Sequence, residues 1–350
     1  MKLVICHHLS LTYGGGGEWA VINMANEAVK RGYEVEVRSL PFWRSDRINP
    51  EEYLREGVTY SERLRHPRVE ADISYYLYAP YLHKFCPVSG ARMAGFHSLL
   101  WFTGPTQGYS HIARLAYRIW RTRWKADLAA YHAYRVYFDE VLRMVPIQDM
   151  GRPIYVIGPE VDTDLFVPMD KWGEFTVLYV GRPVRQKGFD IFLDAARKVG
   201  DRMNFLLAGS NVKAENVKSL GYLPREKLAE VVSKSHVLVS MQRVPTLSRA
   251  VLEALSAGTI SIVSTEVYGP YRNLKSLIRA NNLEELVANL INLKRLWLRD
   301  REEFLRISES GRELVVRMHS RDKVMDRLFS AFKYLKRGLP CQGRGSPRGP

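Results

Sequence analysis

The sequence predicts an α/β protein with two doubly wound parallel-sheet domains, and three observations carry that expectation. The chain is 350 residues long, which fits two domains of about 150 residues each. A strand–turn–helix alternation opens at residue 3 and opens again at residue 176, the order that yields parallel sheets covered by helices. Each opening strand runs into a loop that is glycine-rich or basic, at the strand end where open α/β sheets take their ligands.

Leu3-Val4-Ile5 reads as a buried strand, Gly14 to Gly17 as a turn, and Glu18 to Lys30 as a helix. Ala20, Val21, Met24, Ala28 and Val29 recur on one face of that helix, Gly32 stops it, and residues 33–37 alternate as the second strand. Short strands are expected at 73–78, 94–97, 136–138 and 154–157. Residues 158–172 hold Pro159 and Pro168 and no sustained period, so they read as the boundary between domains. Beyond it, strands at 176–180, 204–208, 237–239 and 260–263 alternate with helices at 190–199, 225–233 and 250–257, and Gly258 ends the last helix. Helices follow from Leu283. The expected division is a domain over 1–158, a connecting segment over 159–172, a second domain over 173–320, a helix over 321–337 returning to the first domain, and a disordered tail over 338–350.

Composition excludes several classes. Cys6, Cys86 and Cys341 lie too far apart for a disulfide framework or a zinc cluster. The apolar run at residues 3–6 is too short for a signal peptide, and no stretch approaches the roughly 20 apolar residues that span a bilayer. A cytoplasmic protein is expected, peripheral at the inner face of the membrane. Lys plus Arg total 52 against 37 for Asp plus Glu, a net charge of +15. That surplus favours phosphates, acidic lipids or nucleic acid as partners.

Two loops carry chemistry. Gly14 to Gly17 lets backbone approach a ligand and precedes a helix N-terminus that offers unpaired N–H groups to an anion. Trp19 stands where a dinucleotide fingerprint has its third glycine, and no Lys-Ser/Thr follows for a P-loop, so a plain flexible turn remains the other reading. The second loop, Gly181-Arg182-Pro183-Val184-Arg185-Gln186-Lys187-Gly188, places three cations between a strand and a helix. Arg182 supplies a planar fork and Lys187 a point charge, a pairing suited to a diphosphate that gains charge as it leaves; a solvated basic turn is the alternative.

The stretch from Tyr179-Val180-Gly181-Arg182 through Lys187-Gly188 resembles the donor-diphosphate loop of GT-B glycosyltransferases, of the retaining family 4 or group 1 type. Other segments agree in order: Gly15 to Glu18 with Arg31 to Val35, Gly158 to Phe166, Leu206 to Gly209, Gly221 to Leu223, and Val251 to Thr259. The resemblance covers most of the chain. It implies two Rossmann-like domains facing a central cleft, and metal-independent hexosyl transfer, with retention, from a nucleotide-diphosphate sugar that serves as co-substrate without any further cofactor.

Residue by residue, the resemblance implies that Arg182 and Lys187, with the backbone of Gly15, Gly16 and Gly17, hold the donor diphosphate. It implies that Glu253 accepts the ribose hydroxyls, a role a carboxylate suits because it can take both hydroxyls of a cis diol. The family's earlier glutamate is replaced here by Pro245, and Thr246, Leu247 and Ser248 stand in place of a Gly-Phe-Gly-like turn. Those three residues are left to meet the donor sugar. His97 resembles a histidine that ends a strand of the acceptor domain and faces the reacting sugar, against the alternative of a satisfied structural histidine. His7 and His8 are weaker candidates for the same cleft. Asp162-Thr163-Asp164 matches a metal signature of the other major glycosyltransferase fold, but between two prolines it reads as a turn, and no metal is expected.

Between residues 73 and 126 stand seven cations and no acid. On a helix, Arg114, Arg118, Arg121 and Lys125 form one stripe, Tyr117, Trp120 and Trp124 a neighbouring aromatic one, and Ile112, Leu115 and Ile119 are left to face the core. Cations beside tryptophans suit the headgroups of an anionic membrane, where a lipid-linked glycan or another cell-surface glycoconjugate precursor is presented as acceptor. A solvated basic face is the competing account, and nucleic acid is not an expected partner because no binding motif is present. The rival function, supported by Pro245, is a non-catalytic GT-B protein that binds a nucleotide or a membrane.

Overall fold

A computed structural model describes residues 1–338 except 78, 98–110, 143, 144, 146, 244, 245 and 268; the side chains of 111–114, 116, 120, 121 and 140 are also outside the described set. The chain forms two compact units. One comprises the described residues up to Pro159 together with those from Asp322, and the other Glu160–Arg321.

The first unit holds seven parallel strands: β1 (Lys2–His7), β2 (Glu34–Ser39), β3 (Val58–Glu62), β4 (Val69–Leu77), β5 (Val88–Phe96), β6 (Ala133–Val136) and β7 (Ile154–Val156). Their order is β3-β2-β1-β4-β5-β6-β7. The order reverses at β1, the place where doubly wound sheets bind ligands. Helix α1 (Gly16–Lys30) buries Val21, Met24, Ala25 and Ala28 on one face of the sheet. Val324, Met325, Leu328, Phe329 and Phe332 of the C-terminal helix, Arg321–Arg337, enter the same core as Leu3, Ile5, Val35 and Tyr75.

Three expectations need correction in this unit. Helix α1 begins at Gly16, so the glycine turn is only Gly14, in the left-handed region at φ 65°, and Gly15, the extended N-cap. The strand expected at 136–138 lies at 133–136, and β3 was not foreseen; its mixed Val-Thr-Tyr-Ser-Glu edge lacks the strict alternation that marks a half-buried strand.

The third correction concerns helix α2 (His111–Ala129). Leu115 and Ile119, expected in the core, are 58% and 56% exposed. The helix is anchored at its C-terminal end, where Leu128 and Tyr131 are buried, Tyr131 donates to the Pro80 carbonyl at 2.7 Å, and the Asp127 carboxylate meets Lys84. Positions four and seven residues apart share a face, so the line from Leu128 through Trp124 to Tyr117 turns inward, and Trp124 packs on the core. Leu115 and Ile119 consequently fall on the opposite side.

The second unit holds β8 (Thr176–Val180), β9 (Asn204–Ala208), β10 (Val217–Ser219), β11 (Val237–Ser240), β12 (Ile260–Val263) and β13 (Leu277–Arg279), all parallel, in the order β10-β9-β8-β11-β12-β13. Helices α3 (Phe189–Val199), α4 (Arg225–Lys234), α5 (Arg249–Ser256), α6 (Leu283–Arg299) and α7 (Arg301–His319) cover it. Residues 160–172 are stitched to this unit. The Val161 N–H donates to the His319 carbonyl at 2.8 Å, Ser256 Oγ to the Phe166 carbonyl at 2.8 Å, and Lys171 Nζ to the Ser233 carbonyl at 2.7 Å and to Thr259 Oγ1 at 3.0 Å. Asp162 closes a turn by accepting the Leu165 N–H at 3.2 Å and pairs with Arg321.

Candidate functional site

The basic loop of the second unit leaves the carboxyl end of β8, beside the point where the strand order reverses between β8 and β11. Three contacts fix its shape. The buried Tyr179 hydroxyl donates to the Arg182 carbonyl at 2.7 Å. Gly188, at φ 73°, leaves no room for a side chain, since a Cβ there would lie 2.0 Å from the Met241 carbonyl oxygen. The Arg243 N–H donates to the Gln186 carbonyl at 2.9 Å, and its guanidinium grips both oxygens of Asp190 at 2.9 and 2.8 Å.

Inside this frame Lys187 Nζ donates to Gln242 Oε1 at 3.3 Å. Burial, reinforced by the neighbouring Arg182 charge, pushes the Lys187 ammonium down to about 8. The Arg182 charge thus stands close enough to disfavour the Lys187 ammonium, which an anion placed against it would favour. Gln242 and Arg243 were not foreseen. Their signal was a polar pair one residue past the end of β11, the strand that flanks β8 at the reversal.

Glu253, on α5, is 4% exposed, and its Oε1 lies 3.1 Å from Arg225 Nη2. Arg225 was also missed. It opens α4, where the helix dipole disfavours a cation, and Glu253 offsets that; the Arg225 guanidinium also lies 5.1 Å over the Phe166 ring. Ser248 caps α5 by accepting the Val251 N–H at 3.3 Å. The Thr246 carbonyl accepts from Gln242 Nε2, and Thr246, Leu247 and Ser248 are all half-buried. Pro245 lies outside the described residues.

In the first unit, the turn before α1 leaves Gly16 exposed and Gly17 half-buried. Beneath it Glu18 is buried with its Oε1 3.6 Å from His7 Nε2. Burial lowers the pKa of both His7 and His8, whose rings are 5.1 Å apart; the Glu18 charge partly offsets this at His7. His97 follows β5 and is brought together with two tyrosines. Its Nε2 is 2.9 Å from the Tyr75 hydroxyl, its Nδ1 2.7 Å from the Tyr137 hydroxyl, and its ring stacks on Tyr137 at 4.2 Å. Buried Arg135 donates to the Tyr75 hydroxyl at 3.3 Å and to the Ile157 and Gly158 carbonyls at 3.0 and 2.8 Å. Gly95 permits the cluster, because a Cβ there would lie 2.0 Å from the Tyr75 hydroxyl oxygen.

On α2, Arg118 and Lys125 are exposed, Trp124 is half-buried with Lys125 Nζ 5.5 Å from its ring, and the side chains of Arg114, Trp120 and Arg121 are outside the described set. Among the described residues no group of His, Cys, Asp or Glu could hold a metal ion, and no helix is long and apolar enough to cross a membrane.

Comparison with known proteins assigns the frame. Residues 174–295 match the family model described as glycosyl transferases group 1. No curated protein sequence matches the chain. Among solved structures, the chain is similar to sucrose-phosphate synthase from Thermosynechococcus elongatus, with a TM-score of 0.71 at 16% identity over 97% of this chain and 100% of that one. It is similar to a glycosyltransferase from Rickettsia africae, with a TM-score of 0.70 at 14% identity over 97% and 99%. It is also similar to Anabaena HepE in complex with UDP and glucose, with a TM-score of 0.69 at 12% identity over 95% and 99%. The chain therefore has the GT-B fold, and its residues 174–295 resemble the group 1 glycosyltransferase domain.

Proposed function

We propose that the protein transfers a sugar from a nucleoside diphosphate sugar to an acceptor glycan. The observation that carries this reading is the Arg182–Lys187 pair at the reversal point of the second sheet, with the lysine's proton affinity already lowered. Arg182 and Lys187 take the diphosphate and stabilise the charge that collects on it as the sugar departs, so no metal is needed in that role. Glu253, oriented by Arg225, accepts the ribose hydroxyls; Thr246, Leu247 and Ser248 border the donor sugar. HepE has been solved with UDP and with UDP-glucose, which supports uridine as the base and a hexose as the transferred group. Retention of configuration accompanies the group 1 resemblance.

The test is a folded Arg182→Ala/Lys187→Ala variant assayed for donor hydrolysis and transfer over a panel of nucleotide sugars. Loss of both activities is expected, and wild-type turnover would refute the reading. A non-catalytic binder is favoured by one observation: both His97 ring nitrogens are engaged by tyrosine hydroxyls. It predicts tight UDP binding with no turnover of any donor.

The exposed face of α2 supports an acceptor presented at an anionic membrane surface. Exposed Leu115 and Ile119 stand among exposed Arg118, Arg123 and Lys125, a mixture suited to the interface. Pelleting with anionic vesicles that persists after Arg118→Glu/Arg123→Glu would remove this part.

A further inference from the structure

Residues 41–48 leave the carboxyl end of β2, beside β1, on the same sheet edge as the glycine turn. Phe42 and Trp43 are 47% and 50% exposed there. Trp43 also adopts φ 59°, and among the described residues the only other non-glycine in this region is Asn216. Asparagine tolerates the left-handed conformation; a bulky side chain does so only where its surroundings over-determine it.

The surroundings do so on both sides of Trp43. The Ser10 N–H donates to the Phe42 carbonyl at 2.9 Å, and Ser45 donates its N–H to Thr12 Oγ1 at 3.0 Å and its hydroxyl to the Thr12 carbonyl at 2.8 Å. Arg44 pairs with Glu62, which also accepts the Ser39 hydroxyl at 3.2 Å and the Tyr60 hydroxyl at 3.1 Å. An exposed aromatic is thereby held in a costly conformation by the hydrogen bonds of the residues on either side of it.

The ring is continuous with the turn. Trp43 lies 5.6 Å from Tyr13 at 55°, Arg47 sits 4.6 Å over Tyr13, and a Cβ on Gly15 would touch the Tyr13 ring at 3.1 Å. A half-wet aromatic surface ringed by guanidinium and hydroxyl groups has the composition that recognises a pyranose. The sugar's C–H face meets the negative face of the ring, and its equatorial hydroxyls reach the polar rim. A protein interface would ask for a larger apolar patch.

We propose that Trp43, flanked by Phe42 and Tyr13, is a stacking platform for a pyranose ring of the acceptor. This rests on the glycosyltransferase reading and deepens it by naming a carbohydrate as the group bound in the first unit.

The full-length protein is tested by saturation-transfer NMR with maltotriose and with N,N′,N″-triacetylchitotriose, and UDP binding is measured separately by calorimetry. Wild type is expected to saturate the ring C–H protons of at least one trisaccharide. Trp43→Ala is expected to weaken that binding at least tenfold with UDP affinity unchanged. Trp43→Gly removes the strain as well as the ring, so it is expected to abolish sugar binding while holding or raising Tm, which separates recognition from folding. Wild-type sugar affinity in either variant, or a wild type that binds UDP but neither trisaccharide, overturns the platform and leaves the donor reading standing. Sugar binding without UDP binding overturns the donor reading instead.

Discussion

The two units place a loop after the first strand of each sheet, at the same topological position, and give it opposite electrostatics. In the second unit the loop at 181–188 holds Arg182 and Lys187 against each other and is braced by Arg243. In the first unit the turn at Gly14 and Gly15 leads into a buried acid, Glu18, paired with a histidine whose proton affinity is lowered by burial. Two sheets of the same strand order present corresponding strand ends, and the side chains just past the strand give them different charge. The turn before Glu18 carries no cation of its own, and Tyr13 and Trp43 stand beside it with Arg47 over the Tyr13 ring.

The largest expected effect on catalysis comes from removing a charge on one side only. Lys187→Met is expected to lower kcat/KM by about 10²- to 10³-fold, the scale measured for single preorganised groups that meet developing charge. Glu18→Gln, at the matching position, is expected to change UDP affinity by less than about fivefold, the scale of helix-end electrostatics. Equal effects of the two changes on UDP calorimetry would erase the distinction between the loops.

The next effect is on stability. Glu253→Ala removes one partner of the Glu253–Arg225 ion pair, whose side chains are nearly buried, a loss that typically costs about 3 to 5 kcal/mol. Chemical denaturation should show that loss in the second unit, and Arg225→Met added to Glu253→Ala should recover part of it. No recovery would mean that Glu253 is held by something other than its ion pair.

The two loops also differ in how strictly they require glycine. At Gly188 a Cβ would overlap a backbone carbonyl oxygen at 2.0 Å and the φ is positive. Gly188→Ala is therefore expected to cost about 2 to 4 kcal/mol, as strain plus displaced backbone. At Gly15 the φ is −83°, and the nearest atom, 2.7 Å away, is the far end of the Glu18 side chain. Gly15→Ala should cost about 1 kcal/mol, the usual penalty of alanine at an N-cap. Thermal unfolding of the two variants ranks them directly.

These contrasts also mark what could be read from the chain alone. The strand–helix alternation was legible because buried parallel strands such as Val177 to Tyr179 are continuous apolar runs between glycines. Arg182 and Lys187 stood out as candidates because the cations sit in one short run directly between a strand and a helix. Gln242, Arg243 and Arg225 were not, because each acts on a residue distant in sequence: Arg243 on Asp190, Gln242 on Lys187, Arg225 on Glu253. Helix α2 was misread for a related reason. Its pattern offers two faces, and tertiary anchoring at Leu128 and Asp127, rather than helical periodicity, selects the one through Trp124.

The smallest effect is the most diagnostic of where the anion sits. Free Lys187 titrates at about 8, held down by burial and Arg182, and a diphosphate against its ammonium raises that value. Well below pH 8 the lysine is protonated in both the free and bound states, so UDP affinity should be nearly flat up to about pH 7 and fall by about twofold by pH 8. Above pH 8 binding must take up a proton, and affinity should fall by up to about tenfold per pH unit until the raised value of the complex is reached. Arginine stays charged throughout this range, so Lys187→Arg should bind UDP without the slope. Calorimetry in two buffers of different ionisation enthalpy reads the proton uptake itself. A slope that survives in Lys187→Arg would move the titrating group, and with it the phosphate, away from this loop.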